Sequence, residues 1–354
     1  MRPSPANTPR TIRARGALLA RALAGSWRRE LPPFDLDTSE FADVLPLAVS
    51  SGVGGLAWRR VRGTSLAEVP GADQLLQASR HYAIQNAVHT LKLATAFSLF
   101  RGAGIEPVLA KGWSLSALYP EPGMRPWGDI DLCVRPEQFQ AASDLLEQPA
   151  NSQLDVDLHF GFGKFYDDRT DELFERSQIV KLDGTDIRVL QFEDHLRFLC
   201  LHLLRHGANR SMWLCDIAAA LEGMPADFDW ELAIGSQQPQ AEWVTGAIQV
   251  TRELLNVQAP LDPISKNGQG PPKWLGETIL NEWGTPYEFP DQVKNLIRKP
   301  LALIKELPRH WPNAIEATIN LRGRFSDWPR FPYQLGEVLV KTARLLRHVG
   351  GAAK

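Results

Sequence analysis

The chain has 354 residues, room for two or three domains, and its 44% hydrophobic and 23% charged residues give the balance of a globular protein with an ample core. A formal net charge of −2 excludes the molecule-wide basic field of a non-specific nucleic-acid binder. No apolar run reaches the roughly 18 residues of a helical membrane span, and Cys133, Cys200 and Cys215 sit in apolar patterns without a CxxC, which predicts buried thiols in a reducing, cytoplasmic setting and neither a disulfide framework nor a zinc site.

Residues 1–25 carry Arg2, Arg10, Arg13, Arg15 and Arg21 and no acid. Arg21 interrupts the apolar piece from Ala17 to Ala24, which makes a poor secretory core, so a flexible tail leading into a helix is expected. Residues 26–102 read as an N-terminal helical region. Phe41, Val44, Leu45 and Leu47 form one apolar patch, and from Gly71 to Gly102 the residues Leu75, Leu76, Tyr82, Ile84, Val88, Leu91, Phe97 and Leu99 recur at threes and fours. His81 and His89 lie in that long helix and read as ordinary helix histidines.

The stretch from Pro107 to Val134 carries the chemistry. Val108 to Ala110 reads as a short buried strand, followed by Lys111-Gly112, a helical pattern of Leu115, Leu118 and Tyr119, and a loop broken by Pro120, Pro122, Gly123 and Pro126. It ends in Gly128-Asp129-Ile130-Asp131-Leu132. Two residues apart on a strand, Asp129 and Asp131 share one face while Ile130 and Leu132 turn to the core. Two adjacent carboxylates repel unless a cation lies between them. Mg2+ or Mn2+ suits that position, because hard cations take carboxylate oxygens and leave sites for phosphate.

A helix from Pro136 to about Gln148 follows, then Leu154 to Phe160, in which Asp155, Asp157 and His159 alternate with apolar residues. Gln178–Leu182 and Asp186–Leu190, joined at Asp183-Gly184, read as a hairpin, with Arg188 facing the same cleft. A helix from Glu193 bears His195, His202 and His206. The last two have the i, i+4 spacing of a metal pair but lack the Glu of HExxH, which argues against zinc. Asp216 reads as a packing acid. The remaining third is helical and interrupted: Trp243–Leu255, a loop with Pro260, Pro263, Gly268 and Gly270, then Trp274–Trp283, and Gln334–Val349 with a basic face of Lys341, Arg344, Arg347 and His348 read as solvated.

The order K-G-x-S-L-x-x-L-Y from Lys111, then Arg125, then G-D-I-D-L resembles the nucleotidyltransferase superfamily that includes DNA polymerase beta. The closer likeness is to a bacterial branch in which Lys-Gly stands where most members carry Gly-Ser. The resemblance implies an α+β fold with a small mixed sheet, a core at residues 103–192, and helical regions before it and after it, at 193–354. It implies a metal-dependent transfer of a nucleotide monophosphate from an NTP such as ATP to an acceptor, whether peptide, sugar, small molecule or protein, with Mg2+ or Mn2+ as cofactor. Asp129 and Asp131 would hold the metals. Asp157, chosen on the D-L-H match over its rival Asp155, would be the third carboxylate, with His159 its neighbour. Lys111 and Gly112 would meet the triphosphate, Lys111 otherwise pairing with Asp129 or Asp131, and Arg125 would steady the triphosphate or order its loop. Two alternatives stand beside this reading: a toxin-like nucleotidyltransferase acting on tRNA, disfavoured by the net charge, and a nucleotide-binding module without catalysis.

Overall fold

The computed structural model describes residues 10–116, 118–163, 170–260, 270–287 and 311–351. Helices α1 (Ile12–Leu23), α2 (Thr38–Ser50), α3 (Gly54–Val61) and α4 (Asp73–Gly102) come first. The sheet strands are β1 (Val108–Leu109), β2 (Ile130–Val134), β3 (Val156–Phe160), β4 (Gln178–Leu182) and β5 (Thr185–Val189). Helix α5 (Trp113–Ser116) follows β1, α6 (Phe139–Leu146) joins β2 to β3, and α7 (Thr170–Arg176) precedes β4. Then come α8 (Phe192–Arg205), α9 (Ser211–Glu222), α10 (Trp230–Ile234), α11 (Gln240–Leu255), α12 (Lys273–Trp283), α13 (Ala314–Asn320) and α14 (Phe331–Gly351).

The strands lie in the order β3-β2-β1-β5-β4, a five-stranded mixed sheet with helices around it, so the fold is the expected α+β type. β2–β3 and β1–β5 pair parallel, β1–β2 and β4–β5 antiparallel. The hairpin forms because Asp183 (φ 46) and Gly184 (φ 85) both take left-handed backbone, the twist that a two-residue loop needs between strands.

β2 is buried along its whole length. Ile130, Leu132 and Val134 pack with Phe97 and Phe100 of α4 and Ala142 of α6, while Cys133 packs on the other face with Phe162, Phe174 of α7 and Phe198 of α8. Each buried phenylalanine contributes roughly 1.5–3 kcal/mol of apolar transfer. By strand alternation Asp131 shares the Cys133 face, the side on which α8 lies. The three cysteines are buried thiols.

Several expectations are corrected here. Residues 12–23 are a helix rather than tail: Leu18, Leu19 and Leu23 are buried, and Arg21, the residue that broke the apolar piece, points outward to Glu40 and Asp35. The second half of α4 lies in the core of the sheet, so the boundary drawn at residue 102 cuts through a packed unit. The helices before and after the sheet share one large core, in which Phe41, Leu47 and Leu56 meet Trp243, Ile248 and Leu275. Residues 1–9, the loop positions Pro263 and Gly268, and the side chains of Arg344, Arg347 and His348 lie outside the described residues. Among the described residues no helix is long and apolar enough to cross a membrane.

Candidate active site

The parallel pairing of β2 with β3 sets Asp131 opposite Asp157 and Cys133 opposite His159. Asp131 is only 2% exposed and His159 3%, while Asp157 stands half-exposed. His159 Nε2 lies 3.0 Å from Asp131 Oδ1 and 3.4 Å from Asp157 Oδ2, so one imidazole edge bridges the two carboxylates. With its proton on Nε2 the ring donates to Asp131. A carboxylate this deep needs compensating charge, and Lys111 Nζ provides it, 3.1 Å from Oδ2. That contact is an ion pair without hydrogen-bond geometry, which leaves Oδ2 buried with no hydrogen-bond partner.

Lys111 is held there by the turn that follows β1. Gly112 takes φ +88, so the turn calls for glycine on conformational grounds. Of the two roles weighed for Lys111, the structure has it paired with Asp131.

Asp155 and Asp157, rivals in the sequence, are separated by backbone geometry. Asp155 has φ 54 and sits just before the strand, so the alternation that would put both acids on one face stops at Val156. Its carboxylate pairs with Lys92 of α4 instead. Asp129 likewise falls one residue before β2 and is exposed. It lines the same cleft but is not one of the clustered ligand atoms.

Arg125 is buried and gripped on two sides by one acid: its Nε donates to Asp216 Oδ1 at 2.7 Å and its Nη2 to Oδ2 at 2.9 Å. Tyr119 Oη donates to the same Oδ1 at 2.8 Å, and Asn86 Nδ2 of α4 donates to the Arg125 carbonyl. The loop between α5 and β2 is thereby tied to α9 and α4. Asp216, which grips Arg125, is fully buried. Arg188 does not reach the cleft: it bonds Glu106 and Ser177 at the other end of the sheet, correcting the reading from alternation.

The acids open onto a cleft of about 480 Å³. Lys111, Gly112, Trp127, Asp129, Asp131, Asp157 and His159 form its sheet side. The facing wall is helical, from His202, Arg205 and His206 at the end of α8, Asn209, Arg210 and Trp213 at the start of α9, and Tyr287. His202 is buried, with its ring centroid 4.7 Å from those of both His206 and Trp213. Burial, then the Lys111 charge, holds its imidazole well below the ordinary value, so it is neutral near pH 7. The histidine spacing on α8, in the run H-x-x-R-H-G from His202, was the sequence signal of this wall. Arg210 and Tyr287 had none, because they meet only when α9 and the segment after α12 pack.

Asp131, Asp157 and His159 offer ligand atoms all within 4.8 Å of one another, and the orphaned Asp131 Oδ2 is an acceptor without a donor. Two carboxylates and one imidazole suit a divalent cation. The residues present thus fit a metal.

A small mixed α+β sheet with paired carboxylates on parallel neighbouring strands, facing a cationic wall, defines the class to which the sequence pointed. The family model described as "Uncharacterised nucleotidyltransferase" matches residues 37–243, more than half of the chain, and the chain belongs to that family. The match takes in α2 through the first turn of α11, and so the whole sheet and all of the cleft except Tyr287. No curated protein and no solved structure matches the chain.

Proposed function

We propose that the protein transfers a nucleotide monophosphate from an NTP to an acceptor hydroxyl in a metal-dependent reaction. The observation that carries this is the in-register Asp131–Asp157 pair bridged by His159, in a chain of nucleotidyltransferase family. Asp131, Asp157 and His159 would hold Mg2+ or Mn2+, with Asp129 at the mouth as a further carboxylate. A bound divalent ion supplies Lewis-acid stabilisation of phosphoryl charge. The acceptor oxygen forms a bond to the α-phosphorus while the bond from that phosphorus to the bridging oxygen breaks and pyrophosphate leaves. Asp157, the half-exposed member, would take the acceptor proton. Lys111 would meet the triphosphate as a compact cation, and Gly112 would let the backbone come close. Arg125 orders the loop that carries Trp127 and Asp129.

The test is transfer of α-radiolabel from each of the four NTPs, with Mg2+ or Mn2+, into the small molecules, peptides, proteins and RNA of a bacterial extract. Asp131→Asn and Asp157→Asn should each lower transfer by roughly a hundredfold or more, the several kcal/mol of charge stabilisation that a catalytic metal supplies. Asp155→Asn should stay near wild type. Unchanged turnover in Asp131→Asn would remove the metal centre from the reaction. Label in RNA would favour the tRNA-acting alternative, and nucleotide binding without transfer the non-catalytic one.

A further inference from the structure

The K-G-x-S-L-x-x-L-Y motif faces three ways in the folded chain. Lys111 and Gly112 line the metal cleft, and Leu115 and Tyr119 are buried in the large core that the helices share. Ser114 and Leu118 line a second cavity, of about 340 Å³. Val180 and Val189 of β4 and β5 and His195 of α8 complete its sides, and it has no lining residue in common with the cleft among the described residues. None of the described residues that line it is an acid, a lysine or an arginine. His195 is neutral near pH 7, because burial, with the Arg125 charge, pushes its imidazole down to about 4. Apart from Ser114, Gln178 and His195 the wall is leucine, valine, phenylalanine and alanine.

Two polar atoms of that wall are left over. Ser114 Oγ and His195 Nε2 are shut off from solvent without a hydrogen-bond partner, whereas buried polar atoms are as a rule paired. Water alone fits poorly, since an ordered water wants about two to four polar partners and most of this wall is apolar. We propose that the cavity is a second ligand site, which takes an uncharged, mainly apolar small molecule bearing a hydroxyl group for Ser114 and His195. An apolar body suits the leucine and valine wall, and a charged one would be desolvated there without a partner of opposite sign. A hydroxyl both donates and accepts, so it can meet either orphaned atom in either role. Ser114 turns to a ligand about χ1 and His195 by rotating its ring, each a step between ordinary rotamers. The space is ample, because a dry cavity of roughly 150 Å³ already holds benzene. The inference stands apart from the transferase reading, since none of its residues belongs to the metal cleft.

The experiment measures binding of p-cresol to the full chain by calorimetry. p-Xylene serves as the same shape without the hydroxyl, and p-toluate as its anionic counterpart. p-Cresol should bind saturably and more tightly than p-xylene, and p-toluate should not bind. Ser114→Ala and His195→Leu should each weaken p-cresol roughly threefold to tenfold, the worth of one neutral hydrogen bond. Both should keep the wild-type affinity for p-xylene, which shows at the same time that they are folded. Ala220→Leu, which grows into the cavity, should abolish binding of both probes; should it fail to fold, the serine and histidine variants decide. Asp131→Asn, in the metal cleft, should bind p-cresol as wild type does. The inference is overturned if wild type binds no p-cresol, if p-xylene or p-toluate binds as tightly, or if Ser114→Ala and His195→Leu both keep wild-type affinity for p-cresol. Loss of p-cresol in Asp131→Asn would place the probe in the metal cleft and overturn it as well. A protein that binds p-cresol in this way but transfers no label keeps the second site and loses the transferase reading.

Discussion

His202 shows how one residue couples the cleft to stability. It is 5% exposed, packed among Phe198, His206 and Trp213, and close enough to Lys111, Arg125 and Arg205 to feel their charge. A histidine in an unfolded chain takes up a proton as pH drops below about 6.5. In the folded protein burial, and then the cations, keep this one neutral to a much lower pH. Below that point the unfolded state binds more protons than the folded state, so stability falls with pH. The contribution is complete above about pH 6.5 and is lost as pH falls through the depressed folded value. Wild type should therefore lose stability in urea titrations between pH 7.5 and pH 5, and His202→Gln should lose less. Equal losses would discharge His202 as the source. His195, pushed down to about 4 by burial, acts in the same direction, so the variant should keep part of the slope.

At the scale of elements, the loop between α5 and β2 depends on a buried ion pair 91 residues apart in sequence. Asp216→Ala leaves the Arg125 charge buried without its acid, which costs about 3–5 kcal/mol. Replacing both, as Arg125→Met with Asp216→Leu, should cost clearly less, because no charge is stranded. Urea unfolding of the single and double variants checks this, and a single variant as stable as wild type would show that the pair does not hold the loop. The hairpin of β4 and β5 was legible in Asp183-Gly184 because its turn chemistry is local. The physical separation of Asp155 from Asp157, which the D-L-H match alone had favoured, was not, since it lies in the φ 54 that takes Asp155 out of the strand.

Across the whole molecule the first helix packs against α12, far along the chain. A Cβ on Gly16 of α1 would fall 1.9 Å from the Leu280 carbonyl oxygen of α12, and one on Gly284 would fall 1.9 Å from that of Ile12. Two backbones thus touch through reciprocal glycines, and nearby Arg28 and Trp27 both donate to Glu222 of α9. Gly16→Ala must push α1 off α12, which should destabilise the protein by about 1–3 kcal/mol or more, the usual cost of overpacking. Gly102→Ala, where an added Cβ meets nothing within 4 Å, should be neutral or slightly stabilising. Thermal melts of the two variants make the comparison, and a Gly16→Ala as stable as Gly102→Ala would deny the close approach.

What the sequence determined by itself is what local periodicity carries. The long helix ending at Gly102, the alternation around Asp131 and Asp157, the hairpin, and the turn at Lys111-Gly112 follow from residue spacing and from conformational preferences that act over a few neighbours. Tertiary structure alone decided which surfaces meet. It paired Asp131 with Asp157 and His159, turned Arg125 toward Asp216 and Arg188 toward Glu106, folded residues 12–23 against α12, and closed the cleft with Arg210 and Tyr287. Those contacts join residues dozens to hundreds of positions apart, and their free energy comes from burial and charge pairing between elements, which no short-range pattern in the chain records.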